Sequence, residues 1–213
     1  MAVTIDVWRI TGQSQIDSYV GRWAELAVVL VNALAVDHAQ GRTRPLPATA
    51  PERLAALEPA LADWRERHPR APGDGGPPDT GPPDTGRLAE AAMALRPAFL
   101  AGPYAGVAEL NALLVRHGAV PNLHGEPPVL AFHAVEADVA GAMAADAGTA
   151  LAMVIGVGQG ERLASCQATG CEMVFFDVTR NASRRFCGLA CQNRAKAAAY
   201  RARRAGPAKK STT

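Results

Sequence analysis

Cys166, Cys171, Cys187 and Cys191 are the residues in this chain whose type and spacing most directly specify a chemistry. They form a Cys-x4-Cys pair and a Cys-x3-Cys pair with fifteen residues between the pairs. Two short chelating loops brought together supply a tetrahedral thiolate site, and four thiolates fill the shell of Zn²⁺, leaving no open position for water or substrate. The expected cofactor is one structural Zn²⁺ held by these four residues, contributing folding free energy rather than catalysis. The alternative is two disulfides or four free thiols. No cysteine occurs before Cys166, whereas a disulfide framework usually staples distant parts of a small secreted chain.

The elements that must position these sulfurs can be read around them. Met173 to Val178 is apolar and rich in Phe and Val, which predicts a strand, and Asn181-Ala-Ser183 predicts a turn. A helix is expected after Cys187. A knuckle, a hairpin and a helix whose first turn supplies the last ligands describe a treble-clef-like four-cysteine zinc finger over residues 161–205. At about 100° per residue, Cys187, Cys191, Ala195, Ala198 and Ala202 fall on one, inward face. Lys196, Arg201, Arg203 and Arg204 fall on or beside the opposite face.

Charge separates the chain into two parts. Residues 1–160 hold 11 Lys and Arg against 17 Asp and Glu, a net of −6, and residues 161–213 hold 11 against three, a net of +8. Arg184, Arg185 and Arg194 could compensate the formal −2 of four thiolates and one Zn²⁺. That compensation leaves Arg201, Arg203, Arg204, Lys209 and Lys210 unexplained, and a run of cations along a helix suits phosphate binding. The expected nucleic-acid set is Arg184, Arg185, Asn193, Arg194, Lys196, Arg201, Arg203 and Arg204.

Upstream, an Ala-, Leu- and Val-rich composition with few aromatics predicts packed helices. A short alternating run at Val3 to Trp8 reads as an opening strand. Helices are expected over Asp17–Gln40, stopping at Gly41, then over Pro51–Arg67, Arg87–Leu100, Tyr104–His117 and Asp138–Val157. A β-hairpin joins Val120–Leu123 to Val129–His133. Residues 69–86 contain GPPDT twice in tandem, too rich in Pro and Gly to pack, and read as a flexible loop. The fold class is therefore mainly α (α+β). A helical domain with a small hairpin spans 1–160 and has its own core, the finger spans 161–205, and a basic disordered tail spans 206–213.

Met1 to Asp17 lacks the features of a signal peptide, and the longest apolar run, around Ala24 to Val36, is short of a membrane span. No membrane partner and a cytoplasmic location are expected. The best catalytic constellation, His133-x-x-Glu136 with Asp138, is outweighed by the helix-capping role open to Asp138, and no metalloprotease, P-loop or nucleophile-elbow pattern occurs. The expectation is not an enzyme. Met143 and Met153 read as core, and His38, His68, His117 and His124 as scattered surface or loop residues.

The stretch CQATGCEMVFFDVTRNASRRFCGLACQNRAKAAAYRARR resembles the CGNR zinc-finger family, whose Cys-Gly-Asn-Arg tetrad here reads Cys191-Gln192-Asn193-Arg194. The resemblance covers about residues 161–204, including Phe175 to Asp177 and Arg184-Arg185. Gln192 replaces the signature Gly, Phe186 stands where Trp is common, and the GPPDT insertion lengthens a loop. Upstream, Leu30-Val-Asn-Ala33 looks like the Asn motif of an ABATE-type domain, with Ala33 where Thr is usual. The resemblance implies a zinc-dependent DNA-binding transcription regulator that is stress- or ligand-responsive through its N-terminal domain. It leaves room for a small-molecule effector and a homodimer. The alternative is a treble clef that contacts protein or RNA without reading DNA sequence. The Asn32 region is the one candidate effector site, set against the simpler reading that Asn32 is a buried amide with structural partners.

Overall fold

The computed structural model describes residues 5–69, 83–100, 102, 104, 106–126 and 128–205. The expected flexible loop lies largely outside these residues, as does the expected tail. Among the described residues the chain is mainly helical: α1 (Ile5–Leu34), α2 (Ala50–Arg67), α3 (Thr85–Leu95), α4 (Val107–Arg116), α5 (Val139–Gly156) and α6 (Leu189–Ala205). Three antiparallel strand pairs punctuate them: β1 (His38–Ala39) with β2 (Arg42–Thr43), β3 (Asn122–His124) with β4 (Val129–Ala131), and β5 (Leu163–Ser165) with β6 (Val174–Phe176).

Helix α1 is the axis of the core. Trp23, Leu26, Ala27, Leu30 and Val31 are buried on it, and α2, α3 and α5 pack around it. The Trp23 and Trp64 rings lie 5.6 Å apart, and the Trp64 indole donates to the Arg22 carbonyl at 3.0 Å, so the second helix is both stacked and hydrogen-bonded onto the first. On α5, Ala140, Ala144, Ala147, Gly148 and Ala150 are buried, and these small residues let neighbouring helices approach closely. A Cβ at Gly148 would lie 2.6 Å from Leu113 Cδ2 of α4. By length and composition α5 could cross a membrane, but 72% of it is buried inside the fold. It, rather than the Ala24–Val36 run, is the most apolar helix.

Several boundaries differ from those read in the sequence. The opening strand is absent: from Ile5 the chain is already α1, because extending an existing helix gains a hydrogen bond per residue whereas a strand needs a partner. Helix α1 ends at Leu34 rather than Gln40, and Gly41 is a hairpin residue instead of a helix stop. Gln40 and Gly41 have φ of 54° and 82° and form the two-residue loop between β1 and β2, as a type I′ turn requires. Arg44 closes the end of α1 by donating to the carbonyls of Asn32 and, at 3.3 Å, Val36. The Arg87–Leu100 helix breaks at Arg96 into a 3-10 turn containing Pro97.

The caps explain two of the helix starts. Thr49 and Glu52 form a reciprocal capping box before α2. Asp84, from the second GPPDT copy, accepts from the backbone N–H groups of Gly86 and Arg87 and starts α3. The end of the expected loop is therefore ordered helix.

Candidate metal centre

The β5–β6 hairpin carries the first cysteine pair at its tip. Cys166 follows β5 directly, its N–H donates to the Met173 carbonyl at 2.8 Å, and Cys171 stands just before β6, so both thiols belong to one knuckle. Cys191 lies in the first turn of α6 and Cys187 just before it. All four sulfurs lie within 4.8 Å of one another, with Cys171 to Cys187 at 3.8 Å and Cys187 to Cys191 at 3.6 Å.

These separations discriminate between the chemistries left open by the spacing. A disulfide needs sulfurs about 2.05 Å apart, and all four cysteines are free. Tetrahedral Zn²⁺ with bonds of about 2.3 Å needs sulfurs about 3.8 Å apart. The residues fit that ion, and with four protein ligands the shell is closed, so the metal would organise the fold without presenting an open coordination position.

Neighbouring N–H groups surround the sulfurs. Burial acts to raise the Cys171 thiol, but N–H groups of Gln40 and Met173, with Cys191 and Cys166, bring it below its ordinary value. Burial, its bond with Cys191 and the Cys166 charge push Cys187 up, and burial leads in raising Cys191. Packed thiolates repel, and a bound dication relieves that repulsion. Cys187 N–H also faces Cys166 Sγ at 3.4 Å, and the Arg194 guanidinium faces Cys191 Sγ at 3.7 Å.

Residues 162–204 match the CGNR zinc finger. The match contains all four cysteines and both strands of the knuckle. No curated protein matches the chain. Within the matched segment the expected strand is present at Val174–Phe176 and the expected turn contains Ala182 at φ 47°. The second hairpin of a treble clef is replaced, among the described residues, by a loop from 177 to 188. Asp177 organises it: its carboxylate accepts from Thr179 N–H at 2.8 Å and Arg184 N–H at 2.7 Å. Burial acts to raise this carboxyl, yet those donors and the Arg162 charge hold it below the usual range. In the sequence Asp177 stands out only as part of a motif, although an Asp two residues before a Thr is an Asx-turn signal.

The expected nucleic-acid residues divide into two groups. Arg184 donates to the Phe186 carbonyl at 2.9 Å and lies over the Phe175 ring. Arg185 donates to Gln167 at 2.7 Å, and Arg194 donates to the Thr169 carbonyl at 2.6 Å. These three engage the finger itself. Asn193, Lys196, Arg201, Arg203 and Arg204 are exposed. The expected inward face of α6 does not extend along its length, since Ala198 and Ala202 are exposed as well. Helical periodicity assigns faces, but among the described residues no other element lies beside this part of the helix to bury one.

The finger has a small buried cluster of its own, Cys166, Ala168, Cys171 and Cys191 with Met173 and Phe186 against it, but its strands also reach into the helical body. Leu163 and Val174 belong to the same buried cluster as Leu26, Leu30 and Val31 of α1. Asn32 joins the two regions: its amide donates to the Val174 carbonyl at 2.9 Å and accepts from the Val174 N–H at 2.8 Å. Both ends of that amide engage β6, which gives Asn32 structural partners. An open cleft of about 370 Å³ lies elsewhere, lined by Arg87, Arg116, His117, Glu136 and Asp138 among others.

The His133, Glu136 and Asp138 constellation is not assembled. His133 is 1% exposed and its Nδ1 pairs with Asp146 at 2.8 Å, while Asp138 caps α5 and pairs with Arg87. Asp146 also accepts from the Tyr19 hydroxyl and the Phe132 N–H, each at 2.8 Å. Burial, with the Asp146 charge second, pushes the Tyr19 phenol far up. The only sequence signal of this network is a lone carboxylate within the apolar run of α5, which must find partners when buried.

Proposed function

We propose that the protein is a DNA-binding transcription regulator that docks through the exposed, basic stretch of α6. The observation carrying this reading is that residues 196–204 form helix with every side chain exposed. So short a helix is marginal in water without packing. Here the metal-bearing first turn nucleates it and alanines, the best helix formers, propagate it. The B-DNA major groove, about 12 Å wide, admits an α-helix. Ala195, Ala198, Ala199 and Ala202 keep the helix slim, Lys196, Arg201, Arg203 and Arg204 reach phosphates, and exposed Asn193 is the candidate reader of an adenine edge.

In this reading the zinc is structural and no catalytic step is assigned. The helical body takes the ABATE-type sensing or dimerising role, with the Arg87–Arg116 cleft as the opening for a small polar effector. Stress-responsive control belongs to the same reading.

The experiment is a salt titration of duplex binding by fluorescence anisotropy, competed with RNA. Four phosphate contacts give a slope of about −3.6 in log K against log salt, at about −0.9 per contact. Replacing Arg201, Arg203 and Arg204 by Ala is expected to flatten it by about 2.7 on the same scale and to leave the zinc in place. Unchanged affinity and slope in that variant would remove α6 as the docking surface, and stronger competition by RNA at equal salt would favour the RNA-binding alternative.

A further inference from the structure

The metal centre is not enclosed by the finger alone. The turn of the β1–β2 hairpin, more than a hundred residues upstream, is seated on the knuckle. Three contacts hold it there. The Gln40 N–H faces the Cys171 sulfur. The Gly41 N–H donates to the Gly170 carbonyl at 2.8 Å, and the Glu172 N–H donates to the His38 carbonyl at 2.8 Å. The knuckle backbone next to Cys171 is therefore hydrogen-bonded to the hairpin on both sides.

The fourth contact is steric. A Cβ at Gly41 would sit inside the Arg194 guanidinium, so the absence of a side chain at 41 makes the space in which Arg194 reaches both the Thr169 carbonyl at 2.6 Å and the Cys191 sulfur at 3.7 Å. The turn's conformation is demanding. Gln40 holds a φ of 54°, a region that non-glycine residues seldom occupy and that marks functional positions when surrounding contacts enforce it. The positive φ values at both turn residues aim two successive N–H groups at the knuckle.

We infer that Gln40 and Gly41 are outer-shell positioning residues of the zinc site, supplied by the helical body rather than by the finger. Outer-shell groups orient metal ligands and offset their charge, and removing them typically costs about 10–100-fold in metal affinity. The backbone bonds to Gly170 and Glu172 fix the knuckle on either side of Cys171, and the slot at Gly41 keeps Arg194 on Cys191. Metal affinity and the conformation of the hairpin are therefore linked: whatever moves the hairpin weakens the site, and metal loss frees the hairpin. The inference is independent of DNA binding.

The test compares zinc affinity, by competition with a chromophoric chelator, in full-length wild type, Gly41→Ala, Arg194→Ala and Gly158→Ala. Gly158 has a φ of 75° and open space within 4 Å of where a methyl group would stand, so this last variant carries the same backbone penalty without touching Arg194. Gly41→Ala and Arg194→Ala are expected to bind zinc about 10–100-fold more weakly, with Gly158→Ala close to wild type. Hydrogen exchange should show the Gln40 and Gly41 amides protected with zinc and exchanging rapidly after chelation. Wild-type affinity in Gly41→Ala would overturn the inference, as would equal exchange of the two amides with and without metal. Should chelation deprotect the whole helical body, the affinity comparison decides.

Discussion

Replacing Asn32 by Ala probes how the helical body holds the finger. The Asn32 amide acts as a one-residue third strand: it satisfies both the N–H and the carbonyl of Val174. Val174 is 1% exposed, so truncating Asn32 strands two backbone groups in a buried setting. Each buried unsatisfied group costs about 1–3 kcal/mol. Asn32 itself is only half-buried, so water can partly replace its amide and the expected loss is toward the lower end, about 2–4 kcal/mol in total. For a chain of this size that corresponds to a melting point lower by about 4–16 °C. The assay is thermal and urea unfolding of zinc-saturated protein followed by circular dichroism. Asn32→Asp keeps an acceptor for Val174 N–H but loses the donor, and should fall between wild type and Asn32→Ala. A change below about 0.5 kcal/mol in Asn32→Ala, the level of an ordinary surface substitution, would refute the clamp.

Further outcomes follow from the same contacts. Cys171→Ser or Cys187→Ser should abolish stoichiometric zinc binding, measured by metal analysis. Because Leu163 and Val174 share the α1 core, the unfolding midpoint of the upstream helices should fall too, rather than being spared. His117 is lowered from its ordinary value by burial first and then by the Arg87 and Arg116 charges, so its proton-detected titration should have a midpoint below about 6.5. A depressed histidine makes the unfolded state bind more protons below that value, so its contribution is present above about pH 6.5 and lost as pH falls. Wild type should therefore lose more stability than His117→Gln as the pH of zinc-saturated melts is lowered through that value, and identical losses would contradict the assignment.

The metal site was legible in the sequence because its constraint is local: four cysteines in two short pairs leave few arrangements besides convergence. Helices α2 and α5 were legible for a similar reason, with apolar spacing and caps lying within the segments themselves. What escaped was set by distant partners. Nothing near Gly41 reveals that its N–H meets the Gly170 carbonyl, and nothing near Asn32 reveals Val174. The helical-wheel argument for α6 failed in the opposite way, predicting a buried alanine face where, among the described residues, no element covers it. Periodicity states which residues share a side, and only tertiary contact decides whether that side is inside.

The cap at Asp84 has a consequence for how this chain can vary. Both pentads end in Pro-Pro-Asp-Thr and both are followed by Gly, at 81 and 86. Gaining or losing a whole copy by slippage would leave the same Asp-Thr-Gly abutting Arg87, with the same carboxylate positioned to accept from the first helical amides. Changes in multiples of five residues are therefore silent to the start of α3, and each extra copy adds only a slowly growing closure cost. A change that cut into the last Asp-Thr-Gly itself would remove the cap.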